Sequence, residues 1–226
     1  MNEWIRDRRR AGVLTGIGAV TLFAGLMAGP TPGPEPADAL RNIERTRTLY
    51  MATNVVDLVG IAILASGLLA LARLQAQRPS APLRALLAGE GVVAGSVLIA
   101  AVLAVQSTLD PALASRFVMA GGQDPDMALA IAAAVFEAER GVFGVGLAIE
   151  MAGIACLAAT FRGDPEFGGR RVWWGIGTLA ASLAALLGLA TLFIDDVLLT
   201  RGEASLSLVT LLWLAGTGFW LTRRFA

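Results

Sequence analysis

Long apolar runs separated by short polar segments dominate the chain. A helix that crosses a bilayer needs about 20 mostly apolar residues. Stretches at 11–29, 50–72, 85–107, 141–161, 172–194 and 204–222 meet that requirement. The pattern predicts an all-α, polytopic integral membrane bundle of six transmembrane helices, a single membrane domain over 1–226. Lipid offers exposed backbone no hydrogen-bond partner, so each span must satisfy its own N–H and C=O groups as a helix. The first run, AGVLTGIGAVTLFAGLMAG, carries no charge; the fifth ends at Asp195-Asp196 and the sixth at Arg223-Arg224.

Charge sets the orientation. With the N-terminus in the cytoplasm, twelve arginines and four acids fall in cytoplasmic segments, and six arginines and eleven acids fall outside. Cytoplasmic loops carry the basic excess, so both termini are expected to be cytoplasmic, in a bacterial inner membrane. A basic start followed by an apolar run also fits a cleaved signal peptide. The 19-residue run and the GPTPGPEP that follows it favour a retained span.

Between the spans, prolines at 30, 32, 34 and 36 predict an extended segment. ADALRNIERTRTLY then places charges at helical spacing, which predicts an amphipathic outer helix near 37–49 running into the second span. The longest outside connection is 108–125. Asp124 is a good N-cap there, with Pro125 at the first helical position, and the helix is expected to continue through Glu137, Glu139 and Arg140 into the fourth span. No internal repeat is visible.

Composition narrows the chemistry. Apolar residues make up 56 % of the chain, charged residues 16 %, and mean hydropathy is +0.67, whereas soluble domains are about 25 % charged. Every cation is Arg. The lack of His excludes His-ligated haem or zinc and His-dependent triads, and the lack of Lys excludes a Schiff base. A lone Cys156 excludes an intrachain disulfide and is expected to be a core thiol. No phosphate loop, nucleophile elbow or dinucleotide fingerprint is present. No cofactor and no nucleic-acid partner is expected.

Three acids lie within spans, where an ionisable group costs about 2.5–3.5 kcal/mol and usually faces protein or a water-filled cavity. Asp57 shares a helical face with Tyr50, Thr53, Asn54, Gly60 and Leu64. That face fits either an outward-opening polar pocket or interhelical hydrogen bonds. Glu150 lies eleven residues from Glu139, close to the same face and about 16 Å deeper. That spacing suits a proton or cation path, or a simple hydrogen-bonded acid. Glu90 heads a stripe of Ala94, Val97, Ala101, Ala104 and Thr108 that reads as a close packing face, with Arg84 in reach. Arg140 is expected either to pair locally with Glu137 and Glu139 or to neutralise Asp57. Small-xxx-small pairs at Gly25-Gly29 and Gly91-Gly95 point to close helix contacts. Trp173, Trp174, Trp213 and Trp220 fit interface belts.

The chain resembles the bacterial membrane proteins grouped as domain of unknown function 4386. The resemblance rests on AGVLTGIGAV, RNIERTRTLYMATNVVDLVG, VFEAERGVFGVG and GEASLSLVTLLWLAGTG, and its best matches are Arg47 through Asp57 to Gly60 and Gly202-Glu203 followed by Leu212-Trp213-Leu214. It departs where such proteins tend to carry a His before the Gly of the fourth span; here stand Glu139-Arg140-Gly141. The resemblance implies the same topology and draws attention to Asp57 and Glu203.

The residues thus leave two classes. In one, the protein binds or moves a lipid, a small apolar molecule or a proton-coupled ligand, with Tyr50, Asn54, Asp57, Glu139, Arg140 and Glu150 lining the path and Glu90 and Glu203 in secondary positions. In the other, it is a non-catalytic subunit that docks onto another membrane protein or onto copies of itself. An enzyme is the least expected.

Overall fold

The computed structural model describes residues 3–30, 35–78, 82–119, 125–162, 170–194 and 197–224. Its helices are α1 (Glu3–Ala28), α2 (Pro36–Arg45), α3 (Arg47–Ala76), α4 (Pro82–Met119), α5 (Pro125–Arg162), α6 (Arg171–Ala190) and α7 (Val197–Arg224). All but α2 are long and apolar enough to cross a bilayer. The six long helices form a closed ring in chain order: α1 packs on α3, α3 on α4, α4 on α5, α5 on α6, α6 on α7, and α7 returns to α1. With six crossings, α1 begins and α7 ends on one face, the terminal face; α2 lies at the opposite, distal face.

Glycine brings the helices together. A side chain at Gly18 would strike the Leu64 backbone, and one at Gly67 would strike Thr15, so α1 and α3 approach at van der Waals contact of their backbones. On α4 and α5, Gly91 meets Gly153 and Gly95 meets Gly146 and Glu150. Both small-xxx-small pairs therefore face partners inside this chain. Large side chains such as Val59, Val97, Leu179 and Leu186 point outward, an arrangement that a lipid surround makes favourable.

Several elements outrun or fall short of the sequence-based bounds. α4 and α5 contain 38 residues each, about 57 Å at ~1.5 Å per residue, against a hydrocarbon core of about 30 Å. The expected outer connection is helical up to Met119, and the helix from Pro125 runs unbroken through Glu139. The extensions carry a second, separate apolar cluster: Leu40 and Ile43 of α2 on Leu113 and Ala114 of α4 and Ala132 of α5. The outer helix is shorter than expected, because Thr46, at φ −110° and ψ 19°, separates α2 from α3. The Thr46 hydroxyl donates to the Asn42 carbonyl at 2.8 Å and so closes the last turn of α2. Asp124, Asp195, Asp196 and Pro32 and Pro34 lie outside the described residues.

Three sequence expectations are corrected. The Glu90 stripe (Ala94, Val97, Ala101, Ala104, Thr108) faces outward; α4 packs instead through Val92, Gly95, Ser96, Ile99 and Leu103. Alanine is as comfortable against lipid as against a helix, and the glycine on the other side permits the closer approach. Cys156 is exposed rather than core. The tryptophans form an internal stack rather than an outward belt. Trp174, 1 % exposed, lies 4.8 Å from Phe161 and edge-on to Trp213 and Trp220 at 5.7 and 6.2 Å. Trp213 Nε1 donates to the Trp173 carbonyl at 2.9 Å, and Trp173 Nε1 to Thr217 at 3.1 Å.

Candidate functional site

One group of buried polar side chains lies at the distal end, where α3, α4 and α5 meet beneath the α2 cluster; Arg8 and Gln75 are buried toward the terminal face. Tyr50, in the first turns of α3, donates its hydroxyl to Asp110 Oδ2 at 2.7 Å. Gln106, one turn before Asp110 on α4, donates to Glu139 Oε2 of α5 at 3.4 Å. Asp110 and Glu139 are 1 % and 8 % exposed. Asp110 Oδ1 and Glu139 Oε1, the second oxygens of these two carboxyls, complete no hydrogen bond among the described residues. The Asn54 amide, one helical turn along from Tyr50, lies beside the Tyr50 hydroxyl. Its Nδ2 completes no hydrogen bond.

The other acids sit deeper and apart. Asp57 is two turns below Tyr50, about 10 Å along α3, and its carboxyl rests where Gly25 of α1 leaves room. Among the described residues, Asp57 Oδ1 has no hydrogen-bond partner and no charged group faces it. Glu150 is buried between α4 and α5 and accepts from Ser96 Oγ at 2.9 Å. Glu203 accepts from Thr191 Oγ1 at 3.1 Å and sits over Gly188. A buried acid that receives a donor is far less costly than one that does not, so Glu150 and Glu203 read as satisfied links between helices.

Of the residues singled out in the sequence, Tyr50, Asn54 and Glu139 come together, with Asp57 below them. Glu150 and Glu203 lie at other helix contacts. Glu90 faces outward. Arg140 is exposed and donates to Glu137 at 2.9 Å; it does not meet Asp57, whose side of α3 faces α1. Asp110 and Gln106 were absent from the sequence-based set. The signal for Asp110 was its helical spacing from Ser96, Leu103 and Ser107, which continues the packed face of α4 past the end assigned to the third span.

The chemistry on offer is that of acids, a phenol and amides: binding, orienting and holding a proton. Among the described residues no group of three or more Cys, Asp or Glu could hold a metal ion. Below this region the ring axis closes over an apolar crevice lined by Thr15, Leu68, Ile154, Phe161, Trp174 and Trp213. In comparisons with known proteins, no family model, no curated protein and no solved structure matches the chain.

Proposed function

We propose that the protein binds a small, proton-coupled ligand at the distal polar site of its membrane bundle. The observation that carries this reading is the buried Asp110–Glu139 pair, which holds acceptors and a neighbouring amide donor with no protein partner. Buried polar atoms without partners cost about 1–3 kcal/mol each, a cost a bound ligand removes. Asp57 extends the polar surface inward along α3. Membership of the group catalogued as domain of unknown function 4386, on the Arg47–Gly60 and Gly202–Leu214 matches, belongs to the same proposal, as does a bacterial inner membrane with lipid around the ring.

Native mass spectrometry of the protein in mild detergent tests the reading. The wild-type protein is expected to carry an extra mass of metabolite size, and Glu139→Gln is expected to lose it while remaining folded by size-exclusion chromatography. A wild-type protein that carries only other polypeptides, or none, sinks the ligand reading and leaves that of an accessory subunit.

A further inference from the structure

We infer that the ends of α6 and α7 at the terminal face form a binding site for one anionic phospholipid, its phosphodiester held by Arg170, Arg223 and Arg224. The inference is independent of the distal site. Arg170 immediately precedes α6, and Arg223 and Arg224 close α7; all three are exposed. The Arg170 and Arg224 guanidiniums lie 5.0 and 5.1 Å from the centroid of the same Trp220 ring. That ring is itself set edge-on against the buried Trp174 at 6.2 Å. Arg223 lies 4.3 Å over Phe219, which is one turn earlier on α7 and 59 % exposed. Aromatic faces thus hold guanidiniums that would otherwise swing freely, and a guanidinium lying on a ring keeps its N–H edge for an anion.

Charge selects the occupant. Two guanidiniums on one ring stand within about one Debye length of each other, ~10 Å at 0.1 M salt, so each feels the other's charge. An anion set between them relieves that repulsion, and a phosphate offers paired oxygens to the guanidinium fork. The ion pairs of the described residues join Arg6 to Glu3, Arg41 to Asp38, Arg47 to Glu44 and Arg140 to Glu137; Arg170 and Arg223 belong to none of them. In the sequence, the connection 162–171 and the end of α7 carry five arginines against two acids, Asp164 and Glu166, which lie outside the described residues. The surroundings make the anion a lipid rather than a free phosphate. Val172, next to Arg171 at the start of α6, is 77 % exposed, and Phe219 stands on the outward side of α7. The charged rim therefore sits directly on an apolar surface that acyl chains cover, and one molecule satisfies both. Basic sites between helix ends fit the headgroups of anionic lipids in this way. A zwitterionic phosphatidylcholine brings its own ammonium to the same arginines and gains no net attraction.

The probes are dioleoyl phosphatidylglycerol and dioleoyl phosphatidylcholine, which share acyl chains and differ in charge, added to purified, delipidated full-length protein in mild detergent. Native mass spectrometry counts the lipids bound at each concentration. The first phosphatidylglycerol is expected to bind at least tenfold more tightly than the first phosphatidylcholine, and that preference to shrink as ammonium acetate rises from about 0.05 to about 0.5 M and the Debye length falls. Arg170→Gln and Arg223→Gln are each expected to weaken phosphatidylglycerol by about fivefold, the share of one arginine at an anionic surface, and to leave phosphatidylcholine unchanged. Arg84→Gln, which removes an exposed arginine from the start of α4 on the same face, is expected to change neither. Equal binding of the two lipids by the wild-type protein overturns the inference with no variant needed. A preference that survives Arg170→Gln combined with Arg223→Gln overturns it as well. So does an equal loss in Arg84→Gln, because the whole basic face rather than this site would then attract the lipid. Displacement of phosphatidylglycerol by millimolar inorganic phosphate would assign the site to a free anion and rules out the lipid. A small molecule at the distal site, judged by Glu139→Gln, stands or falls separately from all of these results.

Discussion

Gly95→Ala tests the backbone contact that seats Glu150 against α4. A Cβ at Gly95 would stand 2.5 Å from the Gly146 carbonyl oxygen and 2.6 Å from Glu150 Cβ, where ordinary contact begins at 3.4 Å. Neither obstacle is the far end of a flexible side chain. α4 and α5 must therefore part by about 1 Å at this level. The Ser96–Glu150 hydrogen bond, now 2.9 Å, would stretch to about 3.9 Å and cease to be one. Overpacking of this kind costs about 1–3 kcal/mol, and an interhelical hydrogen bond in a membrane adds about 0.6 kcal/mol on average. Alanine's better helix propensity returns up to about 1 kcal/mol. The net expectation is a loss of about 1–3 kcal/mol. Gly175→Ala is the matched control, because a Cβ there meets nothing within 4 Å; it should be neutral or slightly stabilising. Reversible unfolding in mixed micelles, titrated with dodecyl sulfate and followed by tryptophan fluorescence, measures both. If Gly95→Ala is as stable as Gly175→Ala, the close approach of α4 and α5 is not what holds this interface.

The nature of the obstacle should rank the glycines of α1. Gly18→Ala meets Leu64 backbone and should cost more than Gly25→Ala, which meets only the Asp57 carboxylate, a group able to swing aside; paired unfolding titrations decide, and a reversed order would refute the ranking. Gly177→Ala places a methyl in the Trp213 indole and should break the Trp213–Trp173 hydrogen bond, read as a red-shifted tryptophan emission with a loss of about 1–3 kcal/mol. Leu40→Ala removes a fully buried side chain from the distal cluster and should weaken that cluster by about 2–4 kcal/mol. Because the cluster is separate from the main core, limited proteolysis within α2 should accelerate while the bundle's unfolding midpoint stays put; a matching fall in the midpoint would show the two cores to be one.

Spans and apolar faces were legible because lipid imposes them: a run such as 11–29 has no stable arrangement other than a helix, and Thr53, Asn54, Asp57 and Gly60 all bury the face their spacing assigned. The ends of spans were not, since nothing in hydropathy separates a helix that leaves the bilayer from one that stops there. Asp110-Pro111 reads as a stop, yet Pro111 lies inside α4, which continues to Met119. A proline costs one backbone hydrogen bond, and packing against α2 and α5 outweighs that. Which alanine face meets a helix and which meets lipid was equally hidden, because alanine transfers between them at little cost; only the glycine contacts decide it. The carboxyl pair was missed for a topological reason. Asp110 and Glu139 are 29 residues apart, and only the helical extensions of α4 and α5 carry them to one level.

The two halves of the ring are filled differently. At the terminal half, Trp174, Phe161 and Trp213 fill the axis with stacked rings locked by indole hydrogen bonds to Trp173 and, through it, to Thr217. At the distal half, Asp57 is buried where α3 meets α1, and Asp110 and Glu139 where α3, α4 and α5 meet. The pair has an aromatic plug beneath it and a small helix above it. The helix is the easier to move. The α2 cluster rests on three buried apolar side chains of α2, whereas the plug is part of a core that draws on all six long helices. Parting the tryptophan stack would break at least the Trp213–Trp173 hydrogen bond.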